Sequence, residues 1–440
     1  MWTFLPERLA AVILAAVILA AALLAPATAH ASAPRAGRSL SPEQQGYLAV
    51  VEHGFQEASS HWGNRPQHWY NAVLHDRKRY PLATIWDAVP LFEAVDETAL
   101  ASPTAANENR VVAFADYGER YWDRNVTPAP GVRKKTPAYA PYPGSWNDVE
   151  TFFDDDGWWG LAFMDASQAM RQSGRLRLGS RYLADAERAF TFIDNNGWDT
   201  ADGGGIWWNT DHVIPGGHGR SGEALAAATD LAARLYQAAG QPLYLQAAEN
   251  YITWANHNIQ ATDGNYGLQI SDASVMPSDG QGAMVAAFTT LCEAGVGVPP
   301  SVYAGIPANQ GGAEPSYRLP SDPTSWCSWA EALAAHTAFG VRIGGGTYDG
   351  YLPLNDGPEW DDIYVRGLLS LYGYDHDSRW YGVANQTAQR ILAYAQSSSG
   401  LFLKAWNGSS SVPGSVPGML RTDASSLSVL AALAGAAPSS

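Results

Sequence analysis

The chain has 440 residues with 27 basic and 43 acidic side chains, a net charge of −16 at pH 7. Basic runs such as Arg133, Lys134 and Lys135 are too small for a nucleic-acid-binding surface. Two cysteines and ten scattered histidines give no Cys/His zinc pattern, so no metal or cofactor is expected, and His212 and His218 read as loop or cleft residues.

The first element is an uninterrupted apolar run from Leu9 to Ala25, followed by the small-x-small pattern Ala29-His30-Ala31. It reads as a secretory signal spanning 1–31, too short for a membrane span and followed by a cleavage site, so the mature protein is expected outside the cell. Because no Pro/Gly or Ser/Thr linker divides the remainder, 32–440 reads as one domain.

Helical periodicity begins at Pro42 to Ser60, where Tyr47, Val50, Val51, Gly54 and Phe55 share a face. Leu82 to Leu100 reads as a helix kinked or interrupted near Pro90, and Asn109 to Trp122 as another. Thr127 to Ser145 holds five prolines and reads as a loop. It delivers the chain to VETFFDDDGWWGLAFMD, in which Asp154, Asp155 and Asp156 precede Trp158, Trp159 and an apolar pattern at helical spacing.

Acids at a helix start cap free N–H groups and complement the macrodipole, so position alone supports a structural role. The same spacing supports a chemical one: neighbouring helical residues point about 100° apart, which puts two carboxyls roughly 5 to 8 Å from each other, a range that overlaps the retaining glycosidases. A cation-binding role for three adjacent acids is a further alternative, to be tested by chelation. With 17 Trp and 21 Tyr in a chain only 16% charged, aromatic faces for sugar are plentiful, although large helical cores use the same residues.

Arg181 to Asn195 continues the helices and runs into Asp202-Gly-Gly-Gly-Ile-Trp-Trp-Asn209. Its glycines permit positive φ or close backbone approach, and Trp207 and Trp208 follow at once; no Lys or Ser/Thr stands where a phosphate cradle needs one. Next come a pair, Arg220 to Ala239 and Pro242 to Ile259, then Gly280 to Ala294, Ser325 to Phe339, Trp360 to Tyr372, Ser378 to Ala395 and Asp423 to Ala434. Cys292 and Cys327 flank the Pro/Gly-rich stretch 295–324 and either close a disulfide or remain thiols; their placement favours the bridge. The best strand pattern is Leu401 to Trp406. Successive helical hairpins in this number predict an all-α closed toroid.

FFDDDGWWGLAFMDA resembles the acidic signature of glycoside hydrolase family 76, the endo-α-1,6-mannanase family, which also includes fungal cell-wall transglycosidase-like proteins. GGGIWWN at 203–209, SGEALAAATDLAARLYQAAG at 221–240, GQG at 280–282, DIYVRGL at 362–368 and LFLKAWNG at 401–408 are similar to that family in the same order. The run Ser278 to Gly282 departs from its pattern. The resemblance implies an (α/α)6 barrel and cleavage of α-1,6-mannosidic bonds with retention, with Asp154 as nucleophile and Asp155 as acid/base. It implies substrate contacts at Asp156, Trp158, Trp207, Trp208, Asn209, Gln281 and Arg366. The expected partner is a polysaccharide, α-1,6-mannan or bacterial lipomannan, and the expected state a monomer. A wall-remodelling transglycosylase and a non-catalytic glycan-binding toroid are the alternatives.

Overall fold

The computed structural model describes residues 40–75, 82–144, 150–200, 203–212, 219–261, 264–269, 272–306, 319–339, 356–412 and 416–436. The expected leader, 1–31, and Asp202 and His218 lie outside them. The helices are α1 (Pro42–His61), α2 (Ile85–Ala101), α3 (Ala105–Gly118), α4 (Phe153–Gln172), α5 (Leu176–Phe192), α6 (Gly222–Ala239) and α7 (Pro242–Asn258), then α8 (Ser278–Glu293), the single turn α9 (Pro300–Tyr303), α10 (Trp326–Phe339), α11 (Pro358–Asp375), α12 (Ser378–Arg390) and α13 (Leu420–Gly435).

Helices α2, α4, α6, α8, α11 and α13 each pack on the next, and α13 closes the ring against α2. A second layer surrounds them: α1 lies on α13, α3 on α2 and α4, α5 on α4 and α6, α7 on α6, α10 on α8, and α12 on α11 and α13. This is an (α/α)6 barrel, the closed toroid that the hairpins predict and the architecture that the resemblance implies. Sequence separates the layers: α13 buries nearly every residue from Leu420 to Ala434, whereas α12 buries one stripe, Trp380, Val383, Ala384, Thr387 and Ala388. Small residues let the inner helices approach closely. Gly157 of α4 faces Ala227 of α6, and a Cβ at Gly282 of α8 would run into the Tyr364 backbone of α11.

The two ends of the barrel differ. At one end short turns at 102–104, 173–175, 240–241 and 376–377 join four of the inner helices to their outer partners. Long segments return the chain at the other end, and three carry antiparallel hairpins: β1 (Gly63–Asn64) with β2 (Trp69–Tyr70), β3 (Trp122–Val126) with β4 (Thr136–Tyr139), and β5 (Gly267–Gln269) with β6 (Asp272–Val275).

Several expectations are corrected. The stretch 127–145 contains strand β4, because Pro137 falls between the paired residues Thr136 and Ala138, where the register shifts and no ladder partner is required of it. The expected helix 109–122 stops at Gly118, and Trp122 already belongs to β3. Leu401 to Trp406 is not a strand; Phe402 makes one isolated bridge, to Gln396. Pro90 does not interrupt α2, which runs unbroken from the capping box of Thr84 and Asp87. Cys292 and Cys327 are bridged, Cα to Cα 5.2 Å, which fastens the end of α8 to the first turn of α10.

Candidate active site

Hairpin alternation makes the six inner helices parallel, so their N-termini meet at the end with the long connections. Each brings acids in its first turn: Asp87 on α2, Asp154 to Asp156 on α4, Glu223 on α6, Asp279 on α8, Glu359 and Asp361 on α11, and Asp423 on α13. The positive ends of six helix dipoles favour this concentration of carboxyls.

The start of α4 is fixed by the glycine-rich segment. Phe152 caps the helix in extended conformation and bridges to Asn209, while the Phe153 N–H donates to the Trp208 carbonyl at 2.9 Å. Gly204 and Gly205 have φ of 99° and 92°, and a Cβ at either would enter the rings of Trp198 or Trp254, so only glycine lets this backbone pass. Beyond them the chain is extended, and successive side chains take opposite sides. Trp207 turns away from the acids, stacks on His212 at 4.2 Å and lies under the Arg220 guanidinium, itself paired with Asp199 at 2.6 Å. Trp208 turns toward α4 and donates its indole Nε1 to Asp154 Oδ2 at 3.0 Å.

The first two acids of α4 therefore sit in unlike surroundings. Asp154 also accepts the Asp155 N–H at 3.1 Å on its other oxygen. Burial pushes its carboxyl up to about 6, and the two N–H donors hold it from going higher. Asp155 is 7% exposed. Burial, then the charges of Asp154, Asp156 and Asp87, drive it well above the usual carboxylate range, with only Arg421 opposing. Arg421 spans two neighbouring helices, giving Nη1 to Asp87 at 3.0 Å and Nε to Glu359 at 2.9 Å. On the Asp154 side stand Glu223, raised to about 8 by burial and then by Asp154 and Asp356, and Asp279.

Other expected contacts lie elsewhere. Asp156 is fully buried, and its Oδ1 accepts the Tyr139 N–H at 3.1 Å, which docks strand β4 on α4. Trp158 packs inside, its ring 6.4 Å from that of Trp86, and offers no open face. Gln281 is spent on backbone, with Oε1 on the Tyr266 N–H at 3.1 Å and Nε2 on the Tyr266 carbonyl at 2.9 Å; it staples the segment before β5. Asn209 turns its Oδ1 to the Asp211 N–H at 3.2 Å and shapes a turn. Arg366 lies on the third turn of α11, partly buried, paired with Glu93 and 3.7 Å from Asp165. Among the described residues no group of three His, Cys, Asp or Glu is arranged to hold a metal ion. Sequence reading misses Asp87, Glu223, Asp279, Asp356, Glu359 and Arg421. One signal could have found most of them: an acid in the first turn of every second helix.

Residues 112–274, which include the whole of the Asp154 to Trp159 motif, match the family model of glycosyl hydrolase family 76. No curated protein sequence matches the chain. Among solved structures, a family 76 α-mannanase from Bacteroides thetaiotaomicron superposes with a TM-score of 0.67 at 18% identity, over 88% of this chain and 95% of that one. An inactive α-1,6-mannanase variant from Salegentibacter sp. HEL1_6, with two neighbouring aspartates replaced by alanine and in complex with α-1,6-mannotetrose, gives 0.60 at 14%, over 88% and 98%. The cellobiose 2-epimerase of Spirochaeta thermophila, at 0.51 and 14% over 90% and 98%, has the same architecture with another chemistry, so these likenesses speak for the fold. The family match includes the acids at the start of α4, and the protein is a glycoside hydrolase. The likeness to glycosyl hydrolase family 76 spans residues 112–274, less than half of the chain.

Proposed function

We propose that the chain is a secreted α-1,6-mannan hydrolase, leader 1–31 and a single catalytic domain 32–440, that cleaves by retaining double displacement and acts as a monomer. The observation that carries this reading is the unlike environment of two adjacent carboxyls. Asp154, held by two N–H donors, is the one to be ionised near neutral pH and to attack the anomeric carbon; Asp155, hemmed in by acids, is the one to keep its proton and give it to the departing glycosidic oxygen. Water then enters, Asp155 takes its proton, and the bond to Asp154 breaks with the configuration at the anomeric carbon restored. The mannotetrose held by the Salegentibacter enzyme supports a polysaccharide of α-1,6-linked mannose as substrate, with fungal mannan and bacterial lipomannan as its sources.

The test is a panel of linear α-1,6-, α-1,2- and α-1,3-mannans with β-1,4-mannan and an α-glucan as controls. The α-1,6-polymer is expected to be hydrolysed fastest, and a preference for any other rejects the assignment.

A further inference from the structure

The mouth is divided at the acid pair. On the Asp155 side, Asp87, Arg421 and Glu359 satisfy one another, and Thr84 adds two hydrogen bonds to Asp87 at 3.0 and 2.9 Å. Those groups are committed. On the Asp154 side, Asp356 accepts the Ser278 N–H at 2.9 Å, Asp361 accepts the Ser278 hydroxyl at 2.8 Å, and Asp279 accepts the Gly280 N–H at 2.7 Å. Glu223 differs from all of these: it stands half-buried on the second residue of α6, the inner helix next to α4, and no donor among the described residues meets its carboxyl. Its α-helix is already capped by Ser221, whose side chain accepts the Ala224 N–H at 3.3 Å, so capping does not occupy it. The charges that act on it are those of Asp154 on α4 and Asp356 before α11, and its own charge acts on Asp279 of α8, all acids.

The dipole of α6 favours a carboxyl at this position, but its acidic neighbours raise the cost of its charge, and no hydrogen bond from a described residue offsets that cost. A sugar would: hydroxyl groups both donate and accept, and a carboxyl held in one place distinguishes sugars by where their hydroxyls point. Building on the function proposed above, we infer that Glu223 is a specificity-determining residue that hydrogen-bonds hydroxyls of the sugar unit lying against Asp154. This assigns to the α6 side of the mouth the reading of hydroxyl orientation, and to the α2 and α13 side the environment of Asp155.

Glu223→Ala and Glu223→Gln are measured on whichever glycan of the panel the wild type hydrolyses fastest, together with aryl glycosides of the same sugar lacking one ring hydroxyl at a time. Failure of the α-1,6-mannan assignment then changes the substrate used and leaves this test intact. Glu223→Ala is expected to lose roughly 10- to 100-fold in kcat/KM, with part recovered in Glu223→Gln and with thermal unfolding of both as in the wild type. One deoxy substrate is expected to be poor for the wild type and no poorer for Glu223→Ala. Activities within twofold of wild type overturn the inference. So does an equal loss on every deoxy substrate, which would mean that Glu223 acts only through the charge of Asp154, and so does a lowered unfolding temperature in both variants, which would make its role structural.

Discussion

The indole N–H of Trp208 donates to Asp154 Oδ2 at 3.0 Å, tying the glycine-rich segment to the first turn of α4. A hydrogen bond to the charged form of a carboxyl lowers its pKa, so this contact favours the ionised Asp154 that the proposed reaction needs. Trp208→Phe keeps the ring and removes the donor. The acidic limb of kcat/KM is expected to move to higher pH, with a loss of roughly tenfold at pH 5. Trp207→Ala is expected to act on stability instead, costing about 3 kcal/mol in urea unfolding with a smaller effect on turnover, because its ring packs on His212 and the core. Equal effects of the two substitutions on activity and stability would reject this division.

The acid pair is separated by azide. Asp154→Ala is expected to abolish turnover on every substrate, whereas Asp155→Ala keeps activity on aryl mannosides whose leaving group needs no proton. Azide added to Asp155→Ala is expected to yield the α-mannosyl azide by attack on the glycosyl-enzyme, and with Asp154→Ala the β anomer by direct displacement. Exchange of the two anomers would reverse the roles, and an acid/base phenotype in Asp156→Ala would move the pair by one residue.

Stability is expected to fall as pH rises from about 4 to about 7. Burial raises Glu93, Asp230 and Asp423 each to about 7, opposed respectively by Arg366, Arg234 and the Phe402 N–H. Folded-state values above the unfolded ones mean that the native protein holds protons the unfolded chain has released. The stabilisation is thus complete below the unfolded values and is lost as pH climbs through the folded ones, at about 1.4 kcal/mol per pH unit for each proton. The urea midpoint is expected to be higher at pH 5 than at pH 8, and Asp230→Asn should flatten the slope. A midpoint that rises with pH would contradict the assignment.

The bridge between Cys292 and Cys327 has a sequence separation of 35 and is expected to contribute about 3 to 4 kcal/mol by restricting the unfolded chain. Titration of the unfolded, unreduced protein should find no free thiol, and the double Ser variant should unfold at lower urea.

The barrel was legible in the sequence because its signals are local. Seventeen tryptophans apart, the apolar positions recur at helical spacing, and DDD before such a run marks a helix start. The triple glycine before Trp207 and Trp208 likewise announces a special backbone. Glu223, Asp87 and Arg421 were not legible: each looks like an ordinary first-turn charge, Asp87 even completing a capping box with Thr84, and only ring closure brings them beside α4. Long polar side chains within family-like motifs suggest sugar contacts at Gln281 and Arg366; in the barrel Gln281 secures a backbone turn and Arg366 pairs with Glu93. Strand β4 was hidden by proline content, since composition does not say which N–H groups a ladder needs.

The inequality of the two barrel ends sets what can be recombined. Short turns at 102–104, 173–175, 240–241 and 376–377 leave little room for insertion, whereas 119–152 and 193–221 can lengthen or be traded between homologues while the ring keeps its packing. Asp154, however, belongs to the ring and Trp208 to a tradable segment. A chimera that imports a foreign 193–221 therefore inherits the proposed nucleophile from one parent and the hydrogen bond that tunes it from the other, so grafted rims in this fold are expected to shift pH optimum before they shift substrate.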